Sequence, residues 1–170
     1  MFRRKTKIEQ LARQTRHWAV TAFDKTDRYW LRTTSGREVH DVLVGYHRKF
    51  HNTVFQTWLP IRFSLDNPPS GLFGRLLMRS WDLRWSAWIV NIGESCEATI
   101  CVKACIPTVA LDAKLLDGIC QEQTEEVAAF QKELRDKFNW AAQCSGVYPA
   151  SPAGPGVPML RQGGPPQRYR

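Results

Sequence analysis

YWLRTTSGREVHDVLVGYHRKFHNTVFQTWLPIRFS, residues 29–64, is a run of β-branched and aromatic residues interrupted by short polar breaks. Tyr29 to Thr34 and Glu38 to Tyr46 flank Ser35-Gly36, a short turn signal, so these two segments predict a β-hairpin. Asn52 to Ser64 is rich in Val, Phe, Thr, Trp and Ile and predicts a third strand. Pro60 takes one backbone donor out of it, so this strand is expected to bend, to lie at an edge or to end there. Asp66-Asn67-Pro68-Pro69-Ser70-Gly71 then stops the sheet region.

The flanks read differently. Before the strands, Ile8, Leu11, Ala12, Thr15, Trp18, Ala19, Ala22 and Phe23 recur at spacings of three and four. That predicts one helix from Lys5 to about Phe23, its basic residues mostly off the apolar face. After the strands, Leu72 to about Leu83 predicts a short helix whose apolar side is Leu72, Phe73, Leu76, Leu77 and Leu83. Ser86 to Gly93 and Cys96 to Ile106 predict a second hairpin turning at Gly93-Glu94-Ser95. In its second strand Cys96, Ala98, Ile100, Val102, Ala104 and Ile106 alternate with Glu97, Thr99, Cys101, Lys103 and Cys105, one face buried and one wetter. Asp112 is placed to cap a long helix running to about Phe138, with Leu115, Leu116, Ile119, Val127, Phe130, Leu134 and Phe138 as its stripe.

From Ser145 onward Gly and Pro dominate, and such a segment cannot bury enough apolar surface to order itself. The expected organisation is an α+β domain over 1–144 followed by a disordered tail over 145–170. The domain is expected to hold an antiparallel sheet of about five strands with the helices gathered on one side. That order does not fit a parallel nucleotide-binding sheet.

The hairpin pair GREVHDVLVGYHRKFHNTVFQTWLPIRF, the passage GLFGRLLMRSWDLRWSAWIVN and the strand ATICVKACIP leading through TVALDAKLLDGICQ into a closing helix resemble the type III secretion chaperone-like proteins, including their YbjN-like relatives. The resemblance covers about residues 5–140. It lies in the pattern of elements and apolar positions, with no signature residue. It implies a small, often dimeric module that binds segments of other proteins through sheet and helix surfaces. This chain differs from the acidic chaperones of that family in its positive charge and its Pro/Gly-rich tail.

Length and composition agree with a folded domain. The 170 residues are 43% hydrophobic and 11% aromatic, enough to bury a core, and seven are Trp. The net charge of +8 is uneven: residues 1–50 hold 12 Lys/Arg against 5 Asp/Glu, whereas the rest of the chain is nearly balanced. The excess gathers in Arg3, Arg4, Lys5, Lys7, Arg13 and Arg16, a basic end that suits nucleic acid, an anionic membrane or an acidic partner. No apolar run approaches the ~20 residues of a membrane helix. The basic start is not followed by an apolar stretch of signal-peptide type, so the protein is expected in the cytoplasm with its cysteines reduced.

Chemistry-bearing motifs are sparse. Cys96, Cys101, Cys105, Cys120 and Cys144 form no CxxC pair. Cys101 and Cys105 would share a strand face about 13 Å apart, too far for one zinc ion, with Cys96 on the opposite, buried face. They read as structural thiols, Cys144 being the one best placed to react. His17, His40, His47 and His51 read as surface or hairpin-tip residues. There is no nucleophile elbow, and Gly71-Leu72-Phe73-Gly74-Arg75 lacks the Lys-Ser/Thr ending of a phosphate loop. Glu122, Glu125, Glu126, Glu133 and Asp136, beside Lys132, Arg135 and Lys137, read as a solvated helix face with local ion pairs. Neither an enzyme, a cofactor nor a metal is expected.

What remains is an aromatic–basic mixture. Trp81, Trp85 and Trp88 interleave with Arg75, Arg79 and Arg84, which fits core packing, an exposed protein-binding surface or a base-stacking surface. Trp58, Phe63, Trp81, Trp85 and Trp88 are expected as core or contact anchors, not yet divided between those jobs. A chaperone-like or adaptor protein, as a homodimer, is the leading expectation. Its rivals are a nucleic-acid-binding protein using the basic first helix and a fixed subunit of a multiprotein complex.

Overall fold

The computed structural model describes residues 7–15, 17–23, 28–33, 41–93 and 96–137. Arg3, Arg4, Lys5, Arg16, His40, Cys144, the Ser35-Gly36 turn, Glu94-Ser95 and the segment 145–170 lie outside them. The chain runs α1 (Lys7–Thr15), β1 (Trp18–Phe23), β2 (Arg28–Thr33), β3 (Asp41–His47), β4 (Asn52–Ser64), α2 (Leu72–Trp81), β5 (Ala87–Ile92), β6 (Glu97–Pro107) and α3 (Ala113–Lys137), with single 3-10 turns at Arg48–Phe50 and Thr108–Ala110.

The α+β class is as expected, but among the described residues the sheet has six strands, in the order β1-β2-β3-β4-β6-β5. The sixth comes from residues read as helix. The first helix stops at Thr15, whose hydroxyl donates back to the Ala12 carbonyl at 2.7 Å. Trp18 then opens a strand paired with β2. Trp18 Nε1 donates to Asp117 of α3 at 2.9 Å, and His17 Nδ1 lies 3.1 Å from the same carboxylate. Trp-Ala-Val-Thr-Ala-Phe is a sequence that a sheet edge can use as well as a helix, and here tertiary pairing decides.

All neighbours in the sheet are antiparallel. β4 pairs with β3 on one side and β6 on the other, so it is central, not an edge. Pro60 is accommodated by a break in register between Leu59 and Arg62 rather than by strand termination. α3 begins where Asp112 Oδ1 accepts the Leu115 N–H at 2.7 Å, an N-cap as anticipated.

The helices pack on one face of the sheet. Leu11, Ala12 and Trp18 meet Leu31, Val42, Val44 and Phe55 under the first half of α3 at Leu116, Ile119 and Cys120. Leu59, Phe63, Trp88, Ile100 and Val102 meet Leu72 and Leu76 of α2 under the second half of α3 at Val127, Phe130 and Leu134. Each fully buried Leu, Ile or Phe contributes roughly 1.5–3 kcal/mol. Between the two clusters sits Gln123, wholly buried. Its Oε1 accepts from Thr57 Oγ1 at 3.1 Å, and its Nε2 donates to Ser86 Oγ at 3.3 Å and to the Phe55 carbonyl at 3.4 Å.

The strand alternation leaves two adjacent rows on the opposite face, Trp30–Leu43–Gln56–Lys103 across β2, β3, β4 and β6, and Trp58–Cys101–Ile89 across β4, β6 and β5. Arg32 and Asp41 form a two-point ion pair there, at 2.8 and 3.0 Å, and that bond holds the Arg32 pKa above its ordinary value. No helix among the described residues covers this face.

Two expectations for β6 need correction. Cys101 lies on the face expected to be wetter yet is fully buried, its Sγ accepting from the Gln56 and Asn91 side-chain amides at 3.2 and 3.1 Å. Cys96 does not continue the buried face. It precedes the strand with φ of 56° and is exposed.

Candidate functional site

α2 is the most unusual element. Gly71 leads into it at φ of 73°, a left-handed conformation suited to glycine. Leu72 and Leu76, four apart, are buried in the sheet–helix core. Phe73, Leu77 and Trp81, again four apart, and the adjacent Met78 face outward, 47%, 73%, 88% and 66% exposed. The apolar arc of this helix is therefore much wider than burial against the sheet requires. The expectation that Phe73 and Leu77 share the buried side with Leu72 and Leu76 is corrected accordingly. Phe73 still meets the core at Phe63, ring centres 6.2 Å apart in a T-shaped contact.

The third side of α2 is charged and engaged. Arg79 meets Glu126 of α3 through two bonds, 2.6 and 2.9 Å, and Glu133 through a third at 2.6 Å. Arg75 holds Glu133 as well, its Nε donating at 2.6 Å and its Nη2 binding the same oxygen. Trp88 Nε1 adds a bond to Glu126 Oε1 at 2.8 Å. The Arg79 guanidinium also stacks over Phe130, 5.0 Å from the ring centre. Burial alone would lower the Arg79 pKa, but hydrogen bonds and charge from Glu126 and Glu133 raise it above its ordinary value.

Glu126 and Glu133 are thus not a solvated face with local pairs, as their spacing suggested. They reach across to α2 and are only 14% and 9% exposed. Glu122 does similar work one turn earlier, accepting the backbone N–H of Arg84 at 2.7 Å and of Trp85 at 3.2 Å. Ser80 finishes the clamp by accepting the Trp88 N–H and donating to the Leu76 carbonyl, both at 2.9 Å. α2 is fastened on its core and charged sides and presents the remaining, apolar side to solvent.

The expected anchors separate cleanly. Phe63 and Trp88 are core. Trp85 is half-buried against the core, with the Arg84 guanidinium 4.9 Å over its ring. Trp81 is exposed on α2. Trp58 lies on the helix-free face of the sheet, 5.8 Å from Trp30. Trp58 and Trp81 therefore belong to different surfaces. Of the basic set, Arg13 is exposed on α1, and Lys7 donates to the Thr108 carbonyl at 2.6 Å. Sequence reading missed Phe73, Leu77 and Met78 as surface residues and the Arg75/Arg79–Glu126/Glu133 cluster. The available signals were the excess width of the apolar arc and the four-residue spacing of the two arginines.

A two-layer module of this kind, in whose described residues one antiparallel sheet is backed by helices on one face, has known counterparts. No protein-family model matches the sequence, and no curated protein is similar to it in sequence. The fold, however, is that of a chain in the HopA1–SchA chaperone–effector complex, with a TM-score of 0.51 at 9% identity over 73% of this chain and 89% of that one. It is equally like YbjN of E. coli, with a TM-score of 0.51 at 10% identity over 84% of this chain and 93% of that one. The resemblance seen in the sequence holds at the level of fold. No helix among the described residues is long and apolar enough to cross a membrane.

Proposed function

We propose that this chain is a non-catalytic, chaperone-like or adaptor module of the cytoplasm, and that it pairs with a second copy of itself through the outer side of α2. The observation that carries this reading is the row Phe73, Leu77, Met78 and Trp81, four large apolar side chains exposed on a helix otherwise clamped to its own fold. Monomeric surfaces seldom carry a contiguous patch of such residues. Trp and Phe in a rigid frame make strong contact anchors, because little conformational freedom is lost when they are covered. A helix stripe of period four is also self-complementary under two-fold symmetry, so one patch serves both copies. The fold's likeness to a chain of a chaperone–effector complex supports a binding role, with the remaining surfaces available to a protein client.

Sedimentation velocity on the full chain tests the pairing. The wild type is expected as a dimer. Leu77→Glu is expected to weaken association at least about thirtyfold, the equivalent of a loss of about 2 kcal/mol at an interface anchor, with unchanged circular dichroism. A wild type that stays monomeric, or a Leu77→Glu dimer as tight as the wild type, refutes it.

A further inference from the structure

β3 and β4 are joined by the tight turn Arg48–Phe50, and β6 leaves the sheet through a second tight turn, Thr108–Ala110. Asn52 pairs with Pro107, so the two turns emerge side by side at one end of the sheet. α2 packs towards the other end of β4, over Leu59 and Phe63. The turns are joined to each other: the Thr108 N–H donates to the His51 carbonyl at 2.9 Å, and the Thr53 and Thr108 hydroxyls lie 2.9 Å apart. His51 turns the chain back with φ of 52°, and the Tyr46 hydroxyl lies 2.9 Å from its Nδ1. Lys7 of α1 completes the group by donating to the Thr108 carbonyl at 2.6 Å.

Each turn carries one large apolar side chain into solvent: Phe50 is 61% exposed and Val109 is 90% exposed. Lys7, Arg48, Lys49 and Lys114, the last in the first turn of α3, are exposed around them. Neither turn holds an acid, for there is no Asp or Glu from Tyr46 to Thr53 or from Cys105 to Leu111. Of the carboxylates flanking these segments, Glu9 is half-buried on α1 and Asp112 is engaged in capping α3. The end of the sheet therefore combines two protruding apolar apices with a basic rim.

One kind of partner satisfies both features at once. An acidic bilayer takes apolar side chains into its headgroup layer, and its negative surface potential attracts the cations beside them. Nucleic acid would also meet the cations, but it binds by stacking bases on open aromatic rings. Here His47 already stacks on Phe50, ring centres 4.8 Å apart, and the Lys49 ammonium lies 5.4 Å from the centre of the same ring. Val109 has no ring to offer. We infer that this end of the sheet is a docking surface for a membrane of acidic phospholipid, with Phe50 and Val109 entering the headgroup layer and Lys7, Arg48, Lys49 and Lys114 meeting the anionic headgroups. The surface shares no residue with the outer side of α2.

The test is flotation of the full chain with vesicles of phosphatidylcholine, either alone or with about one third phosphatidylserine, at about 0.1 M salt. The wild type is expected to float with the phosphatidylserine vesicles and not with the neutral ones. Raising the salt to about 1 M, which shortens the screening length to about 3 Å, should release most of it. Lys49→Ala/Lys114→Ala should weaken binding about thirtyfold, at about fivefold for each cation at the surface. Phe50→Ser/Val109→Ser should weaken it at least about tenfold. All four side chains are exposed, so the circular dichroism melts of both variants should match the wild type. A wild type that ignores phosphatidylserine vesicles, or floats equally with neutral ones, overturns the inference. So does a Phe50→Ser/Val109→Ser variant that floats as the wild type does, because binding would then come from other cations of the chain. Binding of a fluorescent oligouridylate that falls with the lysine substitutions, in a protein that ignores both kinds of vesicle, also overturns it by sending this end to nucleic acid.

Discussion

Gly118 lies inside α3, where replacing glycine by alanine ordinarily stabilises a helix by about 1 kcal/mol. Here the opposite sign is expected. A Cβ on residue 118 would stand 2.8 Å from Cη2 and 3.0 Å from Cζ3 of Trp85, well inside contact distance. The indole cannot simply swing aside. Its backbone N–H is held by Glu122, Arg84 stacks at its ring, and its body packs on the core. Forcing a carbon into such a site costs about 1–3 kcal/mol. Set against the gain of about 1 kcal/mol in propensity, Gly118→Ala should destabilise by about 1 kcal/mol, lowering the melting temperature by about 2–4 °C in a chain of this size. In a Trp85→Ala background the obstacle is gone, and the same substitution should stabilise by about 1 kcal/mol. Urea unfolding of the four proteins, followed by circular dichroism, gives a coupling of about 2 kcal/mol if Trp85 is seated on Gly118. Equal, stabilising effects of Gly118→Ala in both backgrounds would refute the reasoning.

Four further outcomes are expected. Arg79→Ala should cost about 3 kcal/mol, because it takes from the largely buried Glu126 the guanidinium that binds it at two points and from Glu133 one of its two arginines, whereas Lys132→Ala, exposed on α3, should change stability by less than about 0.5 kcal/mol; equal costs in urea melts would sink the clamp. Thr57→Val should cost about 1–2 kcal/mol by leaving the buried Gln123 carbonyl unpaired, and a neutral result would mean that another donor serves it. Burial raises the thiol pKa of Cys101, and that of Cys120 further with help from Asp117. The unfolded thiols ionise near pH ~8.5 while the folded ones stay neutral, so their stability contribution is complete below that pH and is lost as pH rises above it. Urea midpoints should therefore fall between pH 7 and 9.5, and Cys101→Ala/Cys120→Ala should flatten the slope. In native protein a thiol reagent should label Cys96 and Cys105 but spare Cys101 and Cys120, as peptide mapping will tell.

Where a segment's pattern and its burial agreed, the sequence was sufficient. Asn52–Ser64 was bounded to the residue, because a long β-branched run ends in a hard proline–glycine stop. The Asp112 cap and α3 were equally plain. Residues 18–23 were not: Trp, Ala and Phe at spacings of three and four satisfy a helix, and only pairing with β2 and the bonds to Asp117 make them a strand. The candidate surface was legible in composition but not in orientation. Leu72, Phe73, Leu76 and Leu77 look alike in a sequence, and which pair faces the sheet depends on where Arg75 and Arg79 find Glu126 and Glu133, some fifty residues away. Cys101 was misjudged for a related reason, since its cover comes from side chains on neighbouring strands.

The strand order has a consequence for synthesis. β4 is flanked by β3 and β6, yet β6 leaves the ribosome only after α2 and β5, more than thirty residues later. Until then the emerging β1–β4 meander ends in a thirteen-residue open edge, NTVFQTWLPIRFS, rich in the residues that recruit stray strands. Pro60 sits within that edge, and a missing amide with a local kink interrupts the template that an intruding chain would need. The bulge tolerated in the finished sheet thus acts as a guard on the nascent one until β6 arrives to close the edge by a long-range pairing.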